Sequence, residues 1–299
     1  MKVAVFFYTQ SGQARKVAEA IWSDYQDVVF KEIVPEEHYP YPWSRREFFD
    51  VFPETRLGIP PSGIKPIDFS DIENADVVMI VGQSWFLSPS LPLQSFFADE
   101  SVRMYLKGRN VVFVNACRNM WYKTGLKIKE YLADINAKYV GHIVLQDSAP
   151  NLISAITVVR WMMYGKKEAT ALLPMAGVKE EDIRRSSRFG KIIADAWKNG
   201  EMKDLQKNLL EAGAIRFKPS IVFIEQNGHS LFAKWAVFVR KMGRFREQKR
   251  RFRLDMFYVY LLFVLFVVSP FGQLFFYLTY PLHNVKKMRR EGCEIVLNN

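Results

Sequence analysis

The chain begins Met1-Lys-Val-Ala-Val-Phe-Phe-Tyr-Thr-Gln-Ser-Gly-Gln-Ala14, and the reading of this stretch decides the fold. Val3 to Tyr8 is an apolar run without polar alternation, the pattern of a strand covered on both faces in a parallel sheet. Thr9, Gln10, Ser11 and Gly12 follow at once, and from Gln13 to Trp22 the apolar positions take up a helical period. A strand, a short hydroxyl-and-glycine loop and a helix start together make an anion site. Unpaired backbone N–H groups and the positive helix end face the loop, and the Thr9 and Ser11 hydroxyls add donors. The order Thr-x-Ser-Gly-x-Ala is not a Walker loop, because no Gly-Lys-Ser/Thr follows, and it is not the G-x-G-x-x-G of a dinucleotide site. A plain strand-to-helix turn is the competing reading.

Four more apolar runs follow the same plan. Val28 to Val34, Ala75 to Val81, Asn110 to Val114 and Tyr139 to Leu145 read as strands, alternating with helices to about Tyr105, from about Thr124 to Ile135, and over Glu180 to Lys198 and Met202 to Ala212. Such alternation predicts a parallel, doubly wound α/β sheet with right-handed crossovers. Ligands of such sheets lie beyond the carboxyl ends of the strands, near the switch in strand order. Two further loops leave the sheet at that edge, Gly82-Gln-Ser-Trp-Phe-Leu87 and Asn115-Ala-Cys-Arg-Asn-Met-Trp121. Trp85 and Phe86 supply flat faces on which a ring can stack. The long connection Pro35 to Pro66, rich in proline and aromatics, either covers one side of a pocket or packs over the sheet edge. Leu152 to Tyr164 is a strongly apolar helix, and its Met162 and Met163 suit either a core or an adaptable wall for a flexible apolar ligand.

The 299 residues are 49% hydrophobic and carry a formal charge of +11. That charge is concentrated at the end: from Lys234 onward there are about 13 Lys and Arg against about 4 Asp and Glu. Arg240, Lys241, Arg244, Arg246, Lys249, Arg250, Arg251 and Arg253 are followed by Met256 to Leu282, which has no charged residue. Ser269-Pro270-Phe-Gly272 interrupts this run near its centre, and Lys286, Lys287, Arg289 and Arg290 flank its far side. A span normally carries a one-sided Lys and Arg bias. Equal flanks with a central break predict instead a helical hairpin that dips into one leaflet, its cations holding anionic headgroups. A buried helical pair in a homodimer is the alternative. No nucleic-acid motif accompanies the basic patch, so nucleic acid is not an expected partner. Cys117 and Cys293 are too few for a disulfide framework or a thiolate metal cluster, and no metal site is expected. Met1-Lys2 leads directly into a strand the fold needs, so no cleaved leader is expected.

The loop Thr9 to Ala14 resembles the phosphate loop of flavodoxin-like proteins, which holds the phosphate of FMN. Taken with Gly82 to Phe86, Asn115 to Trp121 and the basic, apolar tail, the chain resembles the flavodoxin-like proteins of bacterial dialkylresorcinol biosynthesis, labelled condensing enzymes and described as the pathway's aromatase. The fold implied is a flavodoxin-like doubly wound five-stranded parallel sheet over 1–200. A basic connecting region over 201–255 and a membrane-associated hairpin with its basic tail over 256–299 extend it. The resemblance implies FMN held by Thr9, Gln10, Ser11, Gly12, Gln13 and Ala14, with its ring between Gln83, Ser84, Trp85, Phe86 and Leu87 on one side and Asn115, Ala116, Cys117, Arg118 and Asn119 on the other. Arg118 would place positive charge beside the reduced ring. The implied reaction oxidises a 2,5-dialkylcyclohexane-1,3-dione, a hydrophobic small molecule, to a dialkylresorcinol of the kind that feeds aryl-polyene and flexirubin-type pigments. The implied setting is the cytoplasmic side of the inner membrane, peripheral or monotopic, with a ketosynthase as pathway partner. A base must take a ring proton, and His142, Asp147 and His229 are the candidates. An NAD(P)H:quinone reductase and a non-enzymatic electron carrier are the two alternatives.

Overall fold

The computed structural model describes residues 1–295. Five strands form one sheet: β1 (Val3–Phe7), β2 (Val28–Glu32), β3 (Val77–Gly82), β4 (Asn110–Cys117) and β5 (Lys138–Gln146). All neighbours are parallel and the order is β2-β1-β3-β4-β5. This is the flavodoxin-like order, whose switch point lies between β1 and β3. β1, β3, β4 and most of β5 are buried on both faces, as their apolar runs imply, whereas the edge strand β2, Val-Val-Phe-Lys-Glu, is half exposed.

Alternate residues feed two cores. Val3, Val5, Val77, Met79, Val112 and Val114 face one layer of helices, α1 (Gln13–Ile21) among them, while Ala4, Phe6, Val78, Ile80, Val111 and Phe113 face the other. The connection after β2 holds α2 (Arg45–Asp50) and α3 (Phe52–Leu57), with Ser44 and Glu47 forming a reciprocal cap on α2. The helix expected to run to about Tyr105 is two, α4 (Leu91–Ala98) and α5 (Glu100–Leu106). Asp99 is extended and accepts a bond from the Val102 N–H, so it ends one helix and caps the next. Next come α6 (Tyr122–Ile135) and α7 (Asn151–Tyr164), then α8 (Glu180–Arg184) and α9 (Ser187–Lys198) where one helix over 180–198 was expected, and α10 (Leu205–Glu211).

The tail departs most from expectation. α11 runs unbroken from Pro219 to Arg240, through Gly228, and packs over α3. Glu225 from α11 accepts the backbone N–H groups of Tyr122 (3.2 Å) and Lys123 (2.8 Å), so it caps α6, which has no side-chain cap of its own. The hairpin does not form. α12 (Arg251–Phe263), a π turn (Val264–Val268) and α13 (Ser269–Leu278) are continuous parts of one 31-residue helix, Gln248–Leu278. Pro270 should clash with the Phe266 carbonyl four residues back. Phe266 lies inside the π turn, whose wider winding makes room, so the chain continues instead of reversing. By length and composition this helix is long enough to cross a membrane. It is fastened at both ends, however: Phe257 stacks on Phe52 at 3.7 Å, and Phe276 stacks on His283 and packs against Phe223 of α11. α14 (Val285–Cys293) then returns to α6, with Gly292 close against Tyr122. The last four residues of the expected 256–299 segment lie outside the described residues.

Candidate functional site

The carboxyl ends of β1, β3 and β4 open on one cleft of about 200 Å³, lined by Ser11, Gln13 and Ala14 from the first loop, Gln83 to Phe86 from the second, and Ala116 to Arg118 at the end of β4, which runs three residues further than the expected Asn110 to Val114. The structure therefore brings the three expected loops together, and ten of the sixteen expected residues reach the cleft wall. Gly12 has φ 83, the left-handed region glycine enters freely, and α1 starts directly after it with no side-chain cap. The α1 N–H groups are thus left for a ligand.

Hydrogen bonds and packing behind this wall hold it in place. Gln10 is buried and donates to the Tyr39 and Pro40 carbonyls, fastening the first loop to the segment that carries Trp43. Gln13 is bonded both ways to the Val178 backbone, so its amide is occupied. Asn115 is fully buried and donates to the Ser84 hydroxyl at 3.0 Å, which orients that hydroxyl. Asn119 donates to Asn151 Oδ1 at 2.8 Å. Leu87 lies against a neighbouring cavity. Phe86 (φ 45) and Leu87 (φ 62) both have left-handed backbones, at the tip of a hairpin in which Ser84-Trp85 pairs with Ser88-Pro89. Two such residues are what a tight hairpin turn needs, and asparagine and glycine are its usual occupants. The Phe86 ring offsets that cost by packing against Phe48, Phe49 and Phe52.

The three base candidates do not reach the cleft. His142 is fully buried among Phe113, Trp121 and Tyr139, neither ring nitrogen has a partner, and burial pulls its pKa down to about 3. It is a neutral core residue. His229 lies on α11 against Arg56, at a separate cavity, and burial holds its pKa to about 4. Asp147 accepts from Ser154 Oγ (2.9 Å), the Ala149 N–H (2.8 Å) and the Gly177 N–H (3.3 Å), so it positions the backbone at Gly177. Gly177 lines the cleft, and a Cβ there would meet the Trp161 ring at 2.7 Å. Trp43, Trp161, Met162 and Gly177 also line the cleft. Trp43 lies on the connection expected to cover one side of a pocket or pack over the sheet edge, and Met162 on the helix expected to give a core or a wall; Trp161 and Gly177 were not expected.

A planar, phosphate-bearing cofactor fits these residues. Thr9 Oγ1, Trp43 Nε1 and Gln83 Nε2 are buried around the cleft without partners, the condition a polar ligand would relieve. Arg118 faces the cleft, donating to the Asn151 carbonyl (2.9 Å) and Oδ1 (3.1 Å), and burial lowers its pKa to about 10. The Cys117 thiol is buried, which raises its pKa and makes it a poor nucleophile.

Burial also revises the basic cluster. The Arg250 side chain is fully buried, bonded to Asp50 (2.8 Å) and to both Glu54 oxygens (2.7 and 3.0 Å). Arg246 pairs with Glu37, and Arg240 lies 3.5 Å from Glu54. These three bind the tail to the domain. Lys241, Arg244, Lys249 and Arg251 are exposed and, among the described residues, make no ion pair.

No protein-family profile matches the chain, and no curated protein matches it. Among solved structures it is similar to a flavoprotein in complex with FMN from Lactobacillus acidophilus NCFM, at 21% identity over 48% of this chain and 92% of that one, with a TM-score of 0.40. It is similar to a flavodoxin from the domain Archaea, at 15% identity over 66% and 99% with a TM-score of 0.38. An NAD(P)H:quinone oxidoreductase from Methanothermobacter marburgensis is a third, at 13% identity over 64% and 96% with a TM-score of 0.37.

Proposed function

We propose that the chain is an FMN-dependent oxidoreductase acting on a lipophilic ring at a membrane surface, and that its reaction is the oxidation of a 2,5-dialkylcyclohexane-1,3-dione to a dialkylresorcinol. One observation carries this reading. The cleft at the three loops shares Trp43, Ser84, Phe86, Cys117 and Arg118 with a second cavity of about 470 Å³, and the far wall of that cavity is the apolar tail helix, at Tyr258, Leu261, Leu262 and Leu265. An electron carrier needs no such chamber, whereas an enzyme for a greasy ring does.

FMN, when bound, supplies a hydride acceptor. The N–H groups that open α1, with the Thr9 and Ser11 hydroxyls, would hold the phosphate, and Gln83 and Ser84 would serve the ring edge. Going from the dione to the resorcinol, the substrate loses one hydride and one proton. The proton leaves C4, beside one carbonyl, for solvent water, and the hydride leaves the neighbouring C5, so a cation that stabilises the enolate eases the first loss where no strong base lines the cleft. Arg118 is that cation. Trp43 and Phe86 narrow the chamber against water.

The tail supports attachment in the plane of one leaflet. Its long helix is held to the domain at both ends, while Phe271, Leu278 and Leu282 are 66%, 75% and 83% exposed. Exposed apolar surface beside unpaired cations suits an anionic membrane surface.

The test is a flavin spectrum of the purified protein in detergent, followed by anaerobic titration. The dione should bleach the flavin band stoichiometrically and NAD(P)H should not. Bleaching by NAD(P)H alone would turn the assignment to a quinone reductase. A protein that takes up no FMN would end both readings.

A further inference from the structure

The second cavity has a direction. Its inner end is Arg118 and Ser84, at the cofactor cleft. From there it runs between α7, at Ala155 and Val159, and α12, at Leu262, and it continues to Leu265 in the π turn. Its rim is open: Val159 is 47% exposed and Leu262 is 37% exposed. The rim therefore opens on the bare face of the tail helix. At the closed end, among the described residues, no carboxylate lies within ion-pair distance of Arg118; Asp147 and Glu225 act on it only from farther off, and its hydrogen bonds go to the neutral Asn151. A half-buried cation at the end of an apolar trough is costly unless an anion meets it. The Asn151 side chain that accepts from Arg118 also lies 3.4 Å from the Ser269 hydroxyl, so the same residue ties the cation to the tail helix.

We propose that this trough binds an acidic-headed alkyl chain that enters sideways from the lipid phase. Its carboxylate or enolate head meets Arg118, its chain lies between α7 and α12, and the gap between Val159 and Leu262 is the entrance. The proposal rests on the flavin reading only in that the head then lies beside the cofactor. It also gives the tail helix a second task, because the segment that rests on the membrane forms one wall of the substrate channel.

Submicellar octanoate, decanoate and dodecanoate test this by isothermal titration of the full chain held in a bulky sterol detergent. Binding should saturate at one per chain and tighten about fourfold per added methylene. Dodecyltrimethylammonium should bind at least tenfold more weakly than dodecanoate. Ala155→Trp, which fills the trough, and Val159→Trp at the exposed rim should each weaken dodecanoate at least tenfold and leave FMN affinity unchanged, since neither residue lines the cofactor cleft. Dodecanoate binding that persists in both variants would place the chain on the outer helix face and overturn the proposal, as would indifference to head charge. FMN is titrated separately. Dodecanoate binding without FMN binding supports the trough and ends the flavin reading, while FMN binding without dodecanoate binding ends the trough alone.

Discussion

His142 and Glu225 are both sealed from water, and burial moves their proton equilibria in opposite senses. His142 falls from 6.5 to about 3, so between those pH values the unfolded chain holds the extra proton and stability rises with pH. Glu225 climbs from 4.5 to about 7 despite its bonds to the Tyr122 and Lys123 N–H groups, so over that window the folded chain holds the extra proton and stability falls as pH rises. Between about 4.5 and 6.5 the two effects oppose each other in the native protein. Glu225→Gln keeps a carbonyl acceptor for α6 and removes one of the two titrations. Urea unfolding at pH 5 and pH 7 should show the variant gaining roughly 1–3 kcal/mol on the native protein across that interval. A constant difference would mean that Glu225 does not titrate there. Neither behaviour was legible in the sequence, where His142 reads as a candidate base and nothing marks Glu225 as a cap. A lone histidine declares its role only through its neighbours, here three aromatic rings. Phe86 and Leu87 were equally opaque, because Ser-Trp-Phe-Leu-Ser contains neither of the residues that announce a tight turn.

Elements built on apolar runs were read correctly, and those decided by a local cap or a distant partner were not. Four strands follow from apolar runs, because a strand buried on both faces has little other way to be written, while the half-exposed edge strand β2 follows from its alternation and the first helix from its period. The break at Asp99 depends on one side chain accepting from Val102, and the passage through Pro270 depends on a π turn with no composition of its own. The basic stretch shows the same limit: sequence gives eight cations, and only the fold shows that Arg250 is buried against Glu54 and Asp50. That burial predicts a sharp contrast. Arg250→Met leaves the buried Glu54 with only its longer contact to Arg240 and takes the guanidinium from Asp50, and should cost about 3–5 kcal/mol, with α12 becoming sensitive to brief trypsin treatment. Arg246→Ala breaks a far more exposed pair and should cost less than about 1 kcal/mol. Adding Glu54→Met to Arg250→Met should recover most of the loss, since the pair is then replaced by apolar volume. If the double variant is no more stable than the single one, the pair is not what fastens the tail.

The molecule as a whole is a sheet domain with a long apolar helix fastened along its side, and that attachment decides how it can meet a bilayer. A perpendicular span of about 30 Å would require α11, or the domain packed on it, to enter the hydrocarbon alongside. Glu54, Arg250 and Arg240 lie close to the start of the helix, and burying exposed charges such as Lys249 beside them in lipid is costly. The proposed attachment in the surface plane avoids this: it would leave Phe271, Leu274 and Leu278 facing lipid on one side of the helix while Lys241, Arg244 and Lys249 stay in water. The two geometries differ in where the flanks emerge. Lys249→Cys and Lys286→Cys, made singly, should both react with a membrane-impermeant maleimide from the same side of sealed vesicles, because an in-plane helix keeps its two ends on one side. Cys117 and Cys293 are buried and should contribute little background. A spanning helix would leave one of the two introduced thiols protected until the vesicles are lysed. Replacing Phe271, Leu274 and Leu278 together with Asp should then release the protein from liposomes while barely shifting its unfolding temperature, since these side chains are already exposed. A protein still bound after that change would owe its attachment to the cations alone, and raising salt should then remove it.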